Sequence, residues 1–442
     1  MARRSERQWP DRRARRAHRR AALRRHAPLV AAAIVLAALA APPARAQFLP
    51  RIDFNYSNPG ARSLGFGGAF AGLGDDATAA FANPAGLVQL VRPEVSLEGR
   101  SWNSSRTNLV GGRVAGEPTG RGLDVHDGLV TAENERRINS PSFAAAVWPR
   151  GRWTLAVYGH RLADLELDDE SQGAFDDDPD SPRIDAFRER VTLRLDGIGV
   201  AAGWRAHERL SVGIAAVRMD LALATRRDQF SPDPERPDTF YDPIPFDDAH
   251  RSVTEGLRID DAATTLTAGL LWNATDQLSG GLFYRRGARL DGTYELVFLP
   301  IFDDPGSVDV LRAEFRVPNV WGAGVAFRSA SGRVTVAGEV DHVGYSELLK
   351  VHSSGTLFVG DLPYLDSWEY RLGGEYALLG RQPIVAFRAG AWVDSHAADF
   401  DHDRVTHWAA GVGVAGERVQ VDLAADLSSV VDTISLSLIY SF

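Results

Sequence analysis

The sequence predicts an all-β fold, a transmembrane antiparallel β-barrel closed around a small N-terminal hatch of short helices. Three observations predict it. Apolar and polar residues alternate with period two along much of the chain. Beyond residue 46 no apolar run reaches 18 residues. The last alternating segment ends on Phe442. Successive side chains of a strand point to opposite faces, so such a pattern makes one apolar and one polar surface. Hydrocarbon offers no water to an unpaired N–H or C=O, so only helices and closed barrels span it. The missing apolar runs exclude the helices.

Residues 1–46 read as a secretory signal peptide. A basic stretch from Arg3 to Arg25 precedes an apolar run, Ala27 to Ala41, and Ala44-Arg45-Ala46 before Gln47 matches an A-x-A cleavage site. This segment holds 12 of the 49 basic and 2 of the 58 acidic residues, which leaves 37 and 56 and a net charge of −19. So acidic a chain is not a nucleic-acid binder, because phosphate recognition requires clustered cations. Lys350 is the one lysine, and there is no cysteine. Disulfides and cysteine-ligated zinc or iron–sulfur sites are therefore excluded.

The strands follow. At 333–341, Val334, Val336 and Val340 oppose Arg333, Thr335, Glu339 and Asp341. At 418–428, Val419, Val421, Leu423, Ala425 and Leu427 oppose Arg418, Gln420, Asp422, Asp426 and Ser428. Trp153, Leu155 and Val157 oppose Arg152, Thr154 and His160; Val191, Leu193 and Leu195 oppose Arg190, Thr192, Arg194 and Asp196. In the last segment Ile434, Leu436, Leu438, Tyr440 and Phe442 form the apolar face, and a terminal phenylalanine resembles the signal read by outer-membrane assembly machinery. Apolar faces are expected toward lipid and charged faces toward a wet lumen. Trp148, Trp153, Trp204, Trp272, Trp321, Trp392 and Trp408 lie near strand ends, where an interfacial girdle belongs. Hydrophilic insertions at Asp164–Asp185, Ser231–Asp248 and Phe302–Ser307 alternate with brief turns at 329–332 and 416–417. Long loops on one rim and tight turns on the other are the usual asymmetry of these barrels. At ~10 residues per crossing, residues 94–442 hold roughly 12 to 16 strands.

Residues 47–93 do not alternate and are read as the hatch. Asp75 is placed to cap a helix beginning at Asp76 or Ala77. Asn83, before Pro84, ends it. Gly65, Gly67, Gly68, Gly72 and Gly74 permit tight turns and close backbone approach.

Here the chain resembles a family. Gly60-Ala61-Arg62-Ser63-Leu64-Gly65, Gly67-Gly68-Ala69-Phe70, Asp75-Asp76-Ala77 and Phe81-Ala82-Asn83-Pro84-Ala85-Gly86-Leu87 are similar to the N-terminal signature of FadL-type outer-membrane transporters of long-chain fatty acids and toluene. Phe315-Arg316-Val317-Pro318, Val340 to Tyr345 and Trp368 to Tyr376 resemble the family's second half. The resemblance implies about 14 strands, an N-terminus folded into the lumen, and passive uptake of a hydrophobic small-molecule ligand with a lateral opening in the wall. It places Asn83, Pro84 and Ala85, with Gly65, Gly67 and Gly68, in a hatch and gating motif, and implies no enzyme activity or cofactor. The outer membrane, its lipid and lipopolysaccharide are the expected surroundings. The same glycine-rich signature also occurs in PorV/PorQ-like barrels of protein secretion and surface assembly.

Other motifs read as structural. Gly65, Gly67 and Gly68 lack the strand–GxGxxG–helix context of a nucleotide loop. Phe66, Phe70 and Phe81 line an apolar ligand pocket or form the plug's own core. Asp176, Asp178 and Asp180 fail the EF-hand pattern, having Ser181 at the sixth position and Phe187 at the twelfth. A solvated loop, or looser divalent binding against lipopolysaccharide, accounts for them. His396, His402 and His407 with Asp399, Asp401 and Asp403 match no zinc-hydrolase spacing and are assigned to a loop near the outer rim. No GxSxG elbow marks a catalytic site.

Overall fold

The structure is a computed structural model. It describes residues 58–178, 182–233, 235–299, 306–352, 365–380, 382–395 and 404–442, apart from the Arg106 side chain. The expected signal peptide lies outside the described residues.

Fourteen antiparallel strands close into a barrel. They are β1 (Glu94–Gly112), β2 (Leu129–Arg150), β3 (Trp153–Ser171), β4 (Ala186–His207), β5 (Leu210–Phe230) and β6 (Arg251–Asn273). Next come β7 (Leu278–Arg285 and Arg289–Phe298), β8 (Ser307–Arg316 and Val320–Arg328) and β9 (Val334–Val343 and Leu349–His352), each in two pieces. The wall ends with β10 (Ser367–Leu378), β11 (Ile384–Ser395), β12 (Arg404–Ala415), β13 (Val419–Leu427) and β14 (Val431–Ser441). β14 pairs with β1 from Glu94↔Ser441 to Ser104↔Val431, which closes the sheet on itself.

The strands are unequal. β2 to β6 have 22, 19, 22, 21 and 23 residues, whereas β10 to β14 have 9 to 12. A tilted crossing needs about 9–11. The longer strands therefore project past the membrane on the long-loop rim. Asp164–Ser171, expected in a loop, is the top of β3.

On β10 the lipid face carries Trp368, Tyr370, Leu372, Tyr376 and Leu378; on β13 and β14 it carries Val421, Leu423, Leu436 and Leu438. On β3 and β4 the same band is shorter, Trp153, Leu155 and Val157 beside Ile198, Val200 and Trp204. Above it the faces exchange chemistry. Arg188, Arg190 and Arg194 point outward, while Val191, Leu193 and Leu195 are buried in the lumen. The expectation of apolar-to-lipid therefore fails at 190–196. That stretch stands in water outside, so its polar residues turn out and its apolar ones in. Trp392 also departs from the girdle. It is 2% exposed and faces inward, stacked on His407 at 3.7 Å between ring centroids.

The two environments give opposite mutational expectations. Leu436→Arg puts a cation in the lipid band and is expected to destabilise the barrel by ~2–4 kcal/mol in denaturant unfolding from lipid vesicles. Thr192→Arg, on the projecting wall, is expected to change little. Equal costs at both positions would contradict the assigned membrane height.

Candidate functional site

The N-terminal segment occupies the lumen near the tight-turn rim. α1 (Ala61–Gly65) leads into a turn where Gly67 and Gly68 adopt φ of 63° and 78°, open to glycine at little cost. α2 (Ala79–Ala82) stops at Asn83, which is extended, and a 3-10 turn, Pro84–Gln89, follows. Asp75 does not cap α2. Its carboxylate pairs with Arg62 and, at 2.7 Å, with Arg328. Burial opposes its ionisation, but the two arginines prevail and hold its carboxyl below the ordinary aspartate range. Asp76, 2.9 Å from the Thr78 N–H it accepts, is pushed upward by burial.

The wall fits this segment closely. Gly213 and Gly269 lie against Pro84 and Asn83, Gly281 against the Ala71 carbonyl, and Gly373 and Gly390 against Phe66 and Gly67. A Cβ at any of these positions would collide with hatch backbone or with the Asn83 side chain. Hydrogen bonds complete the fit. The Asn83 amide donates to the carbonyls of Ala71 at 2.9 Å and Leu270 at 3.1 Å, and its oxygen accepts from the Ala85 N–H at 3.2 Å. Glu339 accepts from the N–H groups of Phe70 and Ala71 at 2.6 and 2.5 Å. Ser437 accepts from the Ala61 N–H at 2.7 Å, and Arg285 and Arg205 donate to the carbonyls of Phe81 and Val88.

Phe66 and Phe70 are fully enclosed with Ala69, Leu73, Ala82, Ala326 and Ala337. Phe81 lies apart from that cluster, with the Arg285 guanidinium 3.8 Å from its ring centroid and His160 at 4.3 Å. Around the shorter strands the lumen is charged but paired. Arg371 binds Glu369 and, at 3.1 Å, Asp341; Arg388 binds Glu375 and Asp422 at 2.7 and 2.6 Å. His407 belongs to this lumenal network, 3.0 Å from Asp426, and not to an outer loop. Its side chain faces inward because it alternates with exposed Trp408 on β12. His396, Asp399, Asp401, His402 and Asp403, like Asp180 and Ser181, fall outside the described residues. Asp176 and Asp178 are on the β3–β4 connection, where Asp178 is exposed.

Two features were not read from the sequence. The first is an apolar inner face above the hatch, made by Val191, Leu193 and Leu195 of β4, Val217, Met219, Leu221 and Leu223 of β5, and Leu257 and Ile259 of β6, all at most 3% exposed. The second is a break in the barrel wall. The β2–β3 ladder runs from Arg150↔Trp153 to Phe143↔His160 and stops. At that height β2 bulges between Pro141 and Phe143, and β3 between Arg161 and Ala163. Pro141 has no N–H to continue a ladder, and a proline inside a strand is the sequence signal that marks such a break.

These features define a plugged outer-membrane barrel with an apolar inner face above the plug and an interrupted wall. The same fold occurs in a FadL homologue of Pseudomonas aeruginosa, with a TM-score of 0.63 at 15% identity over 89% of this chain and 99% of that one. It also occurs in the toluene transporter TodX of Pseudomonas putida, with a TM-score of 0.57 at 14% identity over 88% and 98%, and in the monoaromatic hydrocarbon channel CymD, with 0.53 at 18% over 88% and 99%. No family model and no curated protein matches the sequence. The chain thus has the FadL-type fold.

Proposed function

We propose that this chain is a passive outer-membrane channel for hydrophobic small molecules, with long-chain fatty acids or similar hydrocarbons as its substrates. The observation that carries this reading is the apolar inner face of β4 to β6 standing above a plug, together with the wall break between β2 and β3. Water-filled pores and lipopolysaccharide both resist apolar solutes; an inner face of Leu, Val, Ile and Met offers them a favourable surface. A ligand entering from the long-loop rim descends past Leu193 and Leu221, meets Phe81, and leaves sideways between β2 and β3 into the membrane. Residues 58–87 close the end toward the periplasm, with Asn83, Pro84, Ala85, Gly65, Gly67 and Gly68 holding the hatch shut. The fold shared with hydrocarbon channels supports this reading, and no chemical step is assigned.

Expression in a bacterium lacking its own fatty-acid channel tests it. Oleate uptake is expected to be restored, whereas correctly inserted protein that takes up none overturns the fatty-acid assignment. Deleting residues 58–87 is expected to leave an inserted barrel that leaks. Complete misassembly would show that the hatch is not separable.

A further inference from the structure

The wall break is bordered by polar atoms that the barrel itself does not use. A groove of about 640 Å³ opens there on the membrane side, bounded by Leu97, Phe143, Ile198 and Leu438. His160, Ser142 and Glu98 also line it, and each is at least nine-tenths buried. Both ring nitrogens of His160, the Ser142 hydroxyl and Oε2 of Glu98 lack a hydrogen-bond partner. An unmet buried polar group costs about 1–3 kcal/mol, so several on one groove call for a ligand that meets them.

We infer that His160, Ser142 and Glu98 form a hydrogen-bonding checkpoint in the wall break that selects aromatic molecules carrying one uncharged hydroxyl. The inference rests on the reading of hydrophobic uptake through the wall break, and within that reading it favours hydroxylated aromatics over fatty acids. Aromaticity follows from the rings gathered there: His160 lies 4.3 Å from Phe81 and 6.5 Å from Tyr158, which lies 6.2 Å from Phe143. Lack of charge follows from the ionic groups. Arg161 already binds Asp196 at 2.7 Å and Asp164 at 3.0 Å, Arg100 binds Glu98 and the Asn58 carbonyl at 2.7 and 2.6 Å, and Arg285 donates to the Phe81 carbonyl at 3.0 Å, so the cations near His160 are already engaged. Glu98 spends Oε1 on Arg100 and Ser435, and its other oxygen faces an anion unfavourably but accepts from a hydroxyl. A neutral imidazole adds one donor and one acceptor.

p-Cresol and toluene share a ring and methyl group and differ by the hydroxyl. Purified protein in detergent micelles is titrated with each by calorimetry, and uptake of each by cells is measured separately. p-Cresol is expected to bind at least tenfold more tightly than toluene. His160→Leu is expected to weaken p-cresol about five- to tenfold and leave toluene unchanged, and His160→Gln, which keeps a donor and an acceptor, to recover most of the loss. Ser142→Ala gives a smaller loss in the same direction. Equal binding of the two probes, or an unchanged ratio in both His160→Leu and Ser142→Ala, overturns the checkpoint. Selective binding without cellular uptake supports the checkpoint and overturns the transport reading instead.

Discussion

Gly213→Val is expected to unseat the plug while the barrel stays closed. Valine suits a strand, so the wall itself loses nothing. Its Cβ, however, would fall on the backbone between Pro84 and Ala85, which cannot rotate away as a flexible side chain could. Overpacking of this kind costs about 1–3 kcal/mol when neighbours can move, and here the neighbour is main chain. The variant is expected to run as a folded, heat-modifiable barrel on gels. In planar bilayers it is expected to conduct at least fivefold more than the parent, and cells carrying it should admit bulky antibiotics. Parental conductance with full protection of residues 80–90 from protease would refute this seating.

Asn83→Ala attacks the same junction through hydrogen bonding. The side chain is 0% exposed and serves three main-chain groups, the carbonyls of Ala71 and Leu270 and the N–H of Ala85. Alanine strands all three. At about 1–3 kcal/mol for each stranded buried group, several kcal/mol of local stability is at stake. Amide exchange measured in micelles should accelerate at least a hundredfold over residues 70–90 and stay unchanged in β10 to β14. Asn83→Asp keeps the acceptor for Ala85 but sets a carboxylate against two carbonyls, so it should be no better. Unaltered exchange in both variants would mean that the wall glycines alone hold the hatch.

Much of the barrel was legible because a membrane imposes one simple rule on a strand. Val334, Val336 and Val340 are exposed toward lipid and Glu339 and Asp341 are buried, as alternation requires. The expected final strand is β14, and the expected turn at 329–332 joins β8 to β9. The rule failed where its premise did. Above the bilayer, alternation at 190–196 keeps its phase while its meaning reverses, and nothing local in the sequence announces the change. Trp392 and His407 were misplaced for a related reason: both lie near a strand end, and only register shows that they point inward to meet Arg371 and Asp426. In the hatch, the glycines and Asn83-Pro84 advertised tight turns. Their partners did not, because Gly213, Gly281 and Gly390 are far away in sequence and become a cradle only after the barrel curls.

The short lipid band on β3 and β4 has a consequence for the surrounding bilayer. From Ile198 to Trp204 it covers about 20 Å of strand, against about 34 Å from Trp368 to Leu378 on β10. With a tilt of about 40°, those lengths become roughly 15 and 26 Å of height. Hydrocarbon meeting a belt that low must thin, and its acyl tails splay and lose order. The sector of disturbed lipid adjoins the gap between β2 and β3, so a solute crossing there enters loosened chains.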